Sequence, residues 1–204
     1  MVKLKILNLY AGIGGNRKLW GDDHEITAIE NVPEIAKIYQ DFFPKDKVIV
    51  ADAHKYLLEH FEEFDFIWSS PPCPTHSKVR KNSAVARGQN KPIYPDMKLY
   101  EEILFLKGYF KEKWVVENVV SWYKPLIAPF EIAKHYFWTN FYINQIKIRT
   151  RGHDAGVKNL GIIKGFDLSE YKGIDKRKVL RNCVEPETGL FVLQELLRKH
   201  KSLF

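Results

Sequence analysis

The chain has 204 residues, 45% hydrophobic and 28% charged, the balance of a soluble globular protein with room for one domain and a proper core. No apolar run approaches the roughly 18 residues of a membrane span, and "MVKLKILNLY" lacks the long apolar stretch and small-residue cleavage site of a signal peptide. Two distant cysteines exclude a disulfide framework and a cysteine-based metal site, so the expected location is a reducing cytoplasm. A net charge of +7 favours a polyanionic partner.

In chain order, "VKLKILNLY" reads as a strand running into "AGIGGNRKLW", a glycine turn that opens a helix. "EITAIE" reads as a second strand. "VPEIAKIYQDFF" reads as an amphipathic helix with Ile35, Ile38, Tyr39 and Phe42 on one face and Pro33 in its first turn. "KVIVAD" is a third strand, "AHKYLLEHF" a helix, "FDFIWSS" a fourth strand, "DMKLYEEILFLKGYF" the clearest helix and "KWVVENV" a fifth strand. Alternation of helices with nearly continuous apolar strands predicts a parallel sheet covered on both faces. Beyond Pro129, "HYFWTNFYINQIKIRTR" predicts two further strands in a hairpin. "GHDAGVKNLGIIKGFDLSEYKG" predicts loop, and "EPETGLFVLQELLRKH" a terminal amphipathic helix.

Ligands of an open parallel sheet bind at the carboxyl ends of its strands, and chemistry-bearing residues stand there. Gly12, Gly14 and Gly15 follow the first strand, without the full G-x-G-x-x-G spacing of a dinucleotide site. Glu30 closes the second strand, where an acid suits the two hydroxyls of a ribose. Asp52 closes the third, where it suits an adenine amino group. Each acid taken singly is as readily a helix cap or an exposed charge. Together they point to an adenosine-containing cofactor. "SSPPCPTHS" sets Cys73 among Pro71, Pro72 and Pro74, which stiffen the backbone on both sides of a thiol. Glu117, with Asn118 beside it, leaves the adjacent strand at the same edge. "SKVRKNSAVARGQNK" is a basic, acid-free run directly after the cysteine, and its bland reading is a solvated loop. Seven histidines show no ligand spacing, and Cys183 reads as a small buried residue.

Together these motifs resemble the DNA cytosine-5 methyltransferase family, in the family's order and over nearly the whole chain. "NLYAGIGG" resembles the first motif, "AIENVPEIAKIYQDFFP" the second and "ADAHKYL" the third. "SSPPCPTHS" resembles the proline–cysteine motif and "WVVENVV" the glutamate–asparagine–valine motif. "IKIRTR" resembles the R-x-R motif, and "RNCVEPETG" the last motif, usually G-N-x-V. The chain departs from the family at Lys147, where a glutamine is usual, and at Arg181, where a glycine is usual. The resemblance implies an α/β fold: a Rossmann-like S-adenosylmethionine-dependent methyltransferase with a mostly parallel seven-stranded sheet and helices on both faces. It implies S-adenosylmethionine held by Tyr10, Ala11, Gly12, Gly14, Gly15, Glu30, Asn31, Asp52, Ala53, Pro72, Asn182 and Val184. It implies catalysis by Cys73, Glu117, Arg149 and Arg151, with no metal. The basic loop (Ser77, Lys78, Arg80, Lys81, Arg87) would hold nucleic acid.

The implied reaction is methyl transfer to carbon 5 of cytosine in DNA through a covalent Cys73 adduct. The DNA is a duplex with the cytosine flipped out, or a single strand. Family members normally carry a large target-recognition region between the last two motifs. Here only about thirty residues separate them, too few by ordinary domain sizes, so residues 1–204 are expected to be one catalytic domain. A second polypeptide or a homodimer would then supply target recognition, and no membrane is involved. An RNA cytosine-5 methyltransferase and a non-catalytic cofactor- or DNA-binding subunit are the alternatives. Restriction protection and regulation are both open as biological roles.

Overall fold

The computed structural model describes residues 3–78, 93–144 and 156–198. In chain order these form β1 (Lys5–Leu9), β2 (Glu25–Glu30), α1 (Pro33–Phe42), β3 (Lys47–Val50), α2 (Ala53–His60), β4 (Phe66–Ser69) and α3 (Lys98–Tyr109). There follow β5 (Lys113–Val119), β6 (Phe130–Ile132), β7 (His135–Thr139), α4 (Val157–Lys164), α5 (Lys176–Asn182) and α6 (Pro186–Leu197). One seven-stranded sheet runs in the order β3-β2-β1-β4-β5-β7-β6. β1 to β5 are parallel, β7 runs antiparallel to β5, and β6 antiparallel to β7. This is a Rossmann-like methyltransferase fold. No helix among the described residues is long and apolar enough to cross a membrane.

Side chains alternate across a strand, so β1, β4 and β5 each feed two cores. Leu7, Leu9, Ile67 and Val116 pack with Leu57 of α2 and with Leu99, Ile103 and Leu106 of α3. Ile6, Phe66, Trp68 and Val115 face the other way, against Val192 and Leu193 of α6. Beside that second layer, Ala28 meets Ile38 and Tyr39 of α1, Leu160 of α4 and Leu180 of α5. The strands read as continuous apolar runs because both faces are covered.

Strand order reverses at β1, which lies between β2 and β4. The loops leaving β1 and β4 therefore part company and open a crevice at their carboxyl ends. Those two loops are "YAGIGG" and "SPPCPTHS".

Three local expectations differ from the structure. The helix expected after the first glycines is instead a run of turns from Tyr10 to Trp20, closed by amides such as Gly14 N–H to Ala11 C=O at 2.9 Å. Gly12 and Gly14 take positive φ there (54° and 86°), which no α-helix accommodates. The hairpin partner of "HYFWT" is the preceding β6, joined by Ala133 and Lys134, both at positive φ as a tight primed turn requires. The segment "IKIRTR" lies outside the described residues. The stretch expected as loop holds α4, which ends on the left-handed Gly165; beyond that stretch lies a further helix, α5, which the Asp175 carboxylate caps at the Lys178 amide. Neither helix has a broad apolar face. Each is held by single leucines, Leu160 and Leu180, sunk into the core around Phe166.

Two glycines let the termini of the fold meet. A Cβ on Gly15 would stand 2.5 Å from the Val184 carbonyl oxygen, and one on Gly189 would collide with the Asn16 backbone. Gly189→Ala is therefore expected to destabilise the protein by about 1–3 kcal/mol through overpacking. Gly108→Ala, in α3 with nothing within 4 Å of the new Cβ, is expected to stabilise by roughly 0.5–1 kcal/mol. Urea denaturation of both variants checks the contrast; equal effects would show that the Gly189 contact is slack.

Candidate active site

The crevice holds a cavity of about 400 Å³, within the roughly 300–1,000 Å³ of small-molecule sites. Its walls are the β1 loop (Tyr10, Ala11, Gly12, Gly15), Glu30 after β2, the start of α1, Ser70 after β4, and Asn182 to Val184. Gly173, Ile174, Asp175, Lys178 and Val179 close the remaining side, and of these only Gly173 belongs to the stretch expected as loop. Glu30 is buried and its two oxygens accept from the amides of Gly12 (3.0 Å) and Val32 (2.9 Å). The carboxylate thus ties the β1 loop to the head of α1 and keeps further lone pairs for hydroxyl donors. The cavity sets the buried Glu30 carboxylate beside the apolar Ile13, Val32, Ile35 and Val184, with Glu34, Asp175 and Lys178 also on its walls, a lining that fits an adenosine bearing a charged side chain.

Four residues expected around the cofactor do not line this cavity: Asn31, Asp52, Ala53 and Pro72. Asp52 is exposed and serves as the N-cap of α2, accepting from Lys55 N–H at 2.9 Å. Gly14 also faces away, since a Cβ there would collide with Phe43.

Tyr10 is fixed from far along the chain. Its hydroxyl donates at 2.5 Å to Glu102, a fully buried carboxylate of α3 that also receives Ser69 Oγ at 2.6 Å. His54 Nδ1 lies 3.1 Å from the same carboxylate, which raises the histidine's pKa. Burial and the Glu102 charge push the Tyr10 phenol far up, so it stays a donor. Sequence reading passed over Glu102. Its only sequence signal is an acid among the apolar positions of α3.

At the other end of the crevice, Asn118 Nδ2 donates to Pro71 C=O at 2.9 Å and so binds the proline–cysteine loop to β5. Cys73 is half-buried, and its carbonyl accepts from the amides of His76 and Ser77 at 3.0 and 3.1 Å. Burial raises the Cys73 pKa, and the Glu117 charge raises it further, which places the two residues expected to share a pocket within electrostatic reach. Glu117 is buried on β5, and His135 Nε2 of β7 stands 3.7 Å from it. His135 Nδ1 donates to Ala133 C=O at 3.2 Å, which leaves Nε2 facing the acid. Sequence reading did not single out His135; the β5–β7 pairing brings it there.

The chain after β5 straps the same loop. Ser77 bridges Ser121, Trp122 N–H donates to His76 C=O at 3.1 Å, and Trp122 Nε1 donates to Thr75 C=O at 3.0 Å. His76 is completely buried, with Nδ1 2.6 Å from the Tyr123 hydroxyl, and burial lowers its pKa. Lys78 is exposed. Arg80, Lys81, Arg87, Arg149 and Arg151 lie outside the described residues. Cys183 is buried with its pKa pushed up to about 12 by burial, as expected of an inert core thiol. Among the described residues no cluster of metal-ligating side chains occurs.

A sequence model of the C-5 cytosine-specific DNA methylase family matches residues 4–120, more than half of the chain. The chain belongs to this family. As a family member it is an S-adenosylmethionine-dependent methyltransferase. Its fold is similar to a DNMT2 mutant from Spodoptera frugiperda, at 25% identity and a TM-score of 0.40 over 56% of this chain and 35% of that one. It is also similar to the methyltransferase EhMeth of Entamoeba histolytica, at 12% identity and a TM-score of 0.43 over 78% of this chain and 60% of that one. A third similar structure is a hypothetical protein of a Thermus species, at 15% identity and a TM-score of 0.44 over 67% and 74% of the two chains. No curated protein sequence matches this one.

Two predictions follow from this geometry. Glu30→Ala is expected to weaken S-adenosylmethionine binding roughly ten- to a hundredfold, the loss of hydrogen bonds to a charged group, as read by calorimetry. Unchanged affinity would move the cofactor elsewhere. A raised thiol pKa means less thiolate at neutral pH, so alkylation of Cys73 by iodoacetamide is expected to accelerate with pH through a midpoint above that of an ordinary cysteine. Glu117→Gln removes the second cause and is expected to shift that midpoint down. A midpoint that does not move would leave burial as the sole cause.

Proposed function

We propose that the chain transfers a methyl group from S-adenosylmethionine to carbon 5 of cytosine in DNA, with Cys73 as nucleophile. The observation that carries this reading is that Cys73, in the loop after β4, lies within the field of Glu117 on the neighbouring strand β5, whose charge adds to burial in raising the thiol pKa. Carbon 5 of cytosine is a poor nucleophile until a thiolate adds to carbon 6. That addition forms the S–C6 bond and moves the electron pair of the C5–C6 double bond to carbon 5 as an enamine. S-adenosylmethionine supplies an electrophilic methyl group, which carbon 5 takes. Loss of the carbon 5 proton then restores the double bond and expels the Cys73 sulfur. Glu117 would hold ring nitrogen 3 and the amino group, by protonation or hydrogen bonding. Arg149 and Arg151 would hold the base oxygen.

The electrostatics of the pair suit this order of events. Burial and the Glu117 charge raise the pKa of a substrate-free Cys73 and so favour its thiol form, which slows adventitious alkylation or oxidation. A cytosine that shares a proton with Glu117 reduces the negative charge near the sulfur and eases thiolate formation. Nucleophile activation is thereby tied to base binding. The cavity residues Tyr10, Ala11, Gly12, Gly15, Glu30, Asn182 and Val184 would hold the cofactor, and residues 1–204 would act as one catalytic domain.

Cys73→Ser is expected to abolish methylation and to spare cofactor binding, because an alcohol is far less ionised than a thiol near neutral pH. DNA containing 5-fluorocytosine is expected to trap the wild-type protein covalently, since fluorine does not leave as a proton does. Assay of DNA and transfer RNA in parallel, with labelled cofactor, decides the substrate. Full turnover by the serine variant would refute the nucleophile assignment.

A further inference from the structure

We infer that the rings of Trp122 and Tyr94 form a stacking surface for unpaired nucleotides beside the target cytosine. The inference rests on the reading of the chain as a polynucleotide cytosine methyltransferase and deepens it by naming the form of strand it grips. Both rings are exposed, Tyr94 to 91% and Trp122 to 36%. Trp122 itself, and the backbone two residues after Tyr94, are tied to one residue of the nucleophile loop. Trp122 Nε1 donates to Thr75 C=O at 3.0 Å, and Asp96 N–H, two residues after Tyr94, donates to Thr75 Oγ1 at 2.9 Å. Thr75 is two residues from Cys73, at most about 7 Å of chain. A strand that delivers a base to Cys73 has to pass close to this point.

The Trp122 ring is positioned before any ligand arrives. Trp122 packs edge-on against Tyr123 with centroids 5.2 Å apart, and the Tyr123 hydroxyl is held by the buried His76. Tyr94 precedes Pro95, which restricts its backbone to extended shapes. An aromatic side chain ordered in advance loses little entropy when a base stacks on it. Lys78, Lys98 and Lys124 are exposed on the same three segments that meet at Thr75, and the whole chain carries a net charge of +7. Rings interleaved with cations suit a single-stranded polyanion whose bases offer a π-face.

The requirement for unpaired bases follows from stacking itself. Within a duplex both faces of each base are already covered by neighbours. A face becomes free only in a single strand, or next to the gap left by an extruded base. The surface thus favours single-stranded or flipped-out cytosine over an intact duplex, and reads stacking rather than base edges. DNA and RNA strands share this chemistry.

The test uses the purified full chain and short fluorescein-labelled single strands of DNA and of RNA carrying one cytosine, with affinity read by anisotropy. Trp122→Ala is expected to weaken binding about 5- to 100-fold, the range of one base–aromatic stack. Tyr94→Ala is expected to weaken it as well, while Trp122→Phe and Tyr94→Phe, which keep a ring, stay within about threefold of wild type. Strands with abasic sites flanking the cytosine are expected to bind the wild type as weakly as intact strands bind Trp122→Ala. They are expected to show no further loss on that variant. Wild-type affinity in both alanine variants overturns the surface. So does a Trp122→Phe loss as large as that of Trp122→Ala, since the indole N–H would then matter only as a clamp on Thr75. Abasic strands that bind as tightly as intact ones overturn it too. Trapping by 5-fluorocytosine in the same preparations reads the chemistry separately. A trap without a ring effect removes the stacking surface alone, and a ring effect without a trap leaves the surface and removes the methylation mechanism.

Discussion

The architecture depends on one close approach. The β1 loop lies so tightly against the segment 182–189 that neither Gly15 nor Gly189 has room for a Cβ. That contact places Val184 and Asn182 opposite Gly12 and Glu30, residues at the other end of the sequence, and so encloses the cavity. The loop itself is braced from behind. Asn8 and Asn16 exchange side-chain hydrogen bonds, and Arg17 makes a bidentate pair with the buried Asp46, with Tyr39 donating to the same carboxylate. A buried guanidinium–carboxylate pair that is fully hydrogen-bonded adds little net stability over apolar packing, but removal of either partner is severe. It therefore holds the loop to one geometry.

The proline–cysteine loop is constrained differently. Prolines limit its backbone, but they do not determine where it sits. Position comes from β5 and the segment that follows it: Asn118 grips Pro71, Trp122 grips Thr75 and His76, and Tyr123 meets the His76 ring. Glu117 and these clamp residues belong to one continuous stretch, so the acid and the loop that carries the thiol move as a unit. A shift of β5 relative to β4 would displace both partners of the chemistry together.

Buried acids divide between two tasks in this crevice. Glu30 and Glu102 are occupied by backbone amides, Ser69 and Tyr10, and they organise the cofactor side. Glu117 has only the half-buried His135 at 3.7 Å as an ion-pair partner among the described residues, and its field falls on Cys73. Desolvation makes an incompletely neutralised carboxylate costly, so a ligand with donor hydrogens is favoured beside it.

The sequence by itself determined the parallel sheet, the two-sided burial, the amphipathic α1 and α6, and the strand ends on which Gly12, Glu30, Cys73 and Glu117 stand. These follow from local signals: continuous apolar runs, glycines at turns, and prolines at a loop, all read within a few residues. Tertiary structure alone decided the partners. It recruited Glu102 to Tyr10, His135 to Glu117, Trp122 to Thr75, and the Gly173–Val179 stretch to the cofactor wall. It also anchored α4 and α5 in the core through Leu160 and Leu180. Such choices are settled by contacts between residues tens of positions apart, whose free energy is absent until the sheet has formed. No periodicity within either segment carries that information.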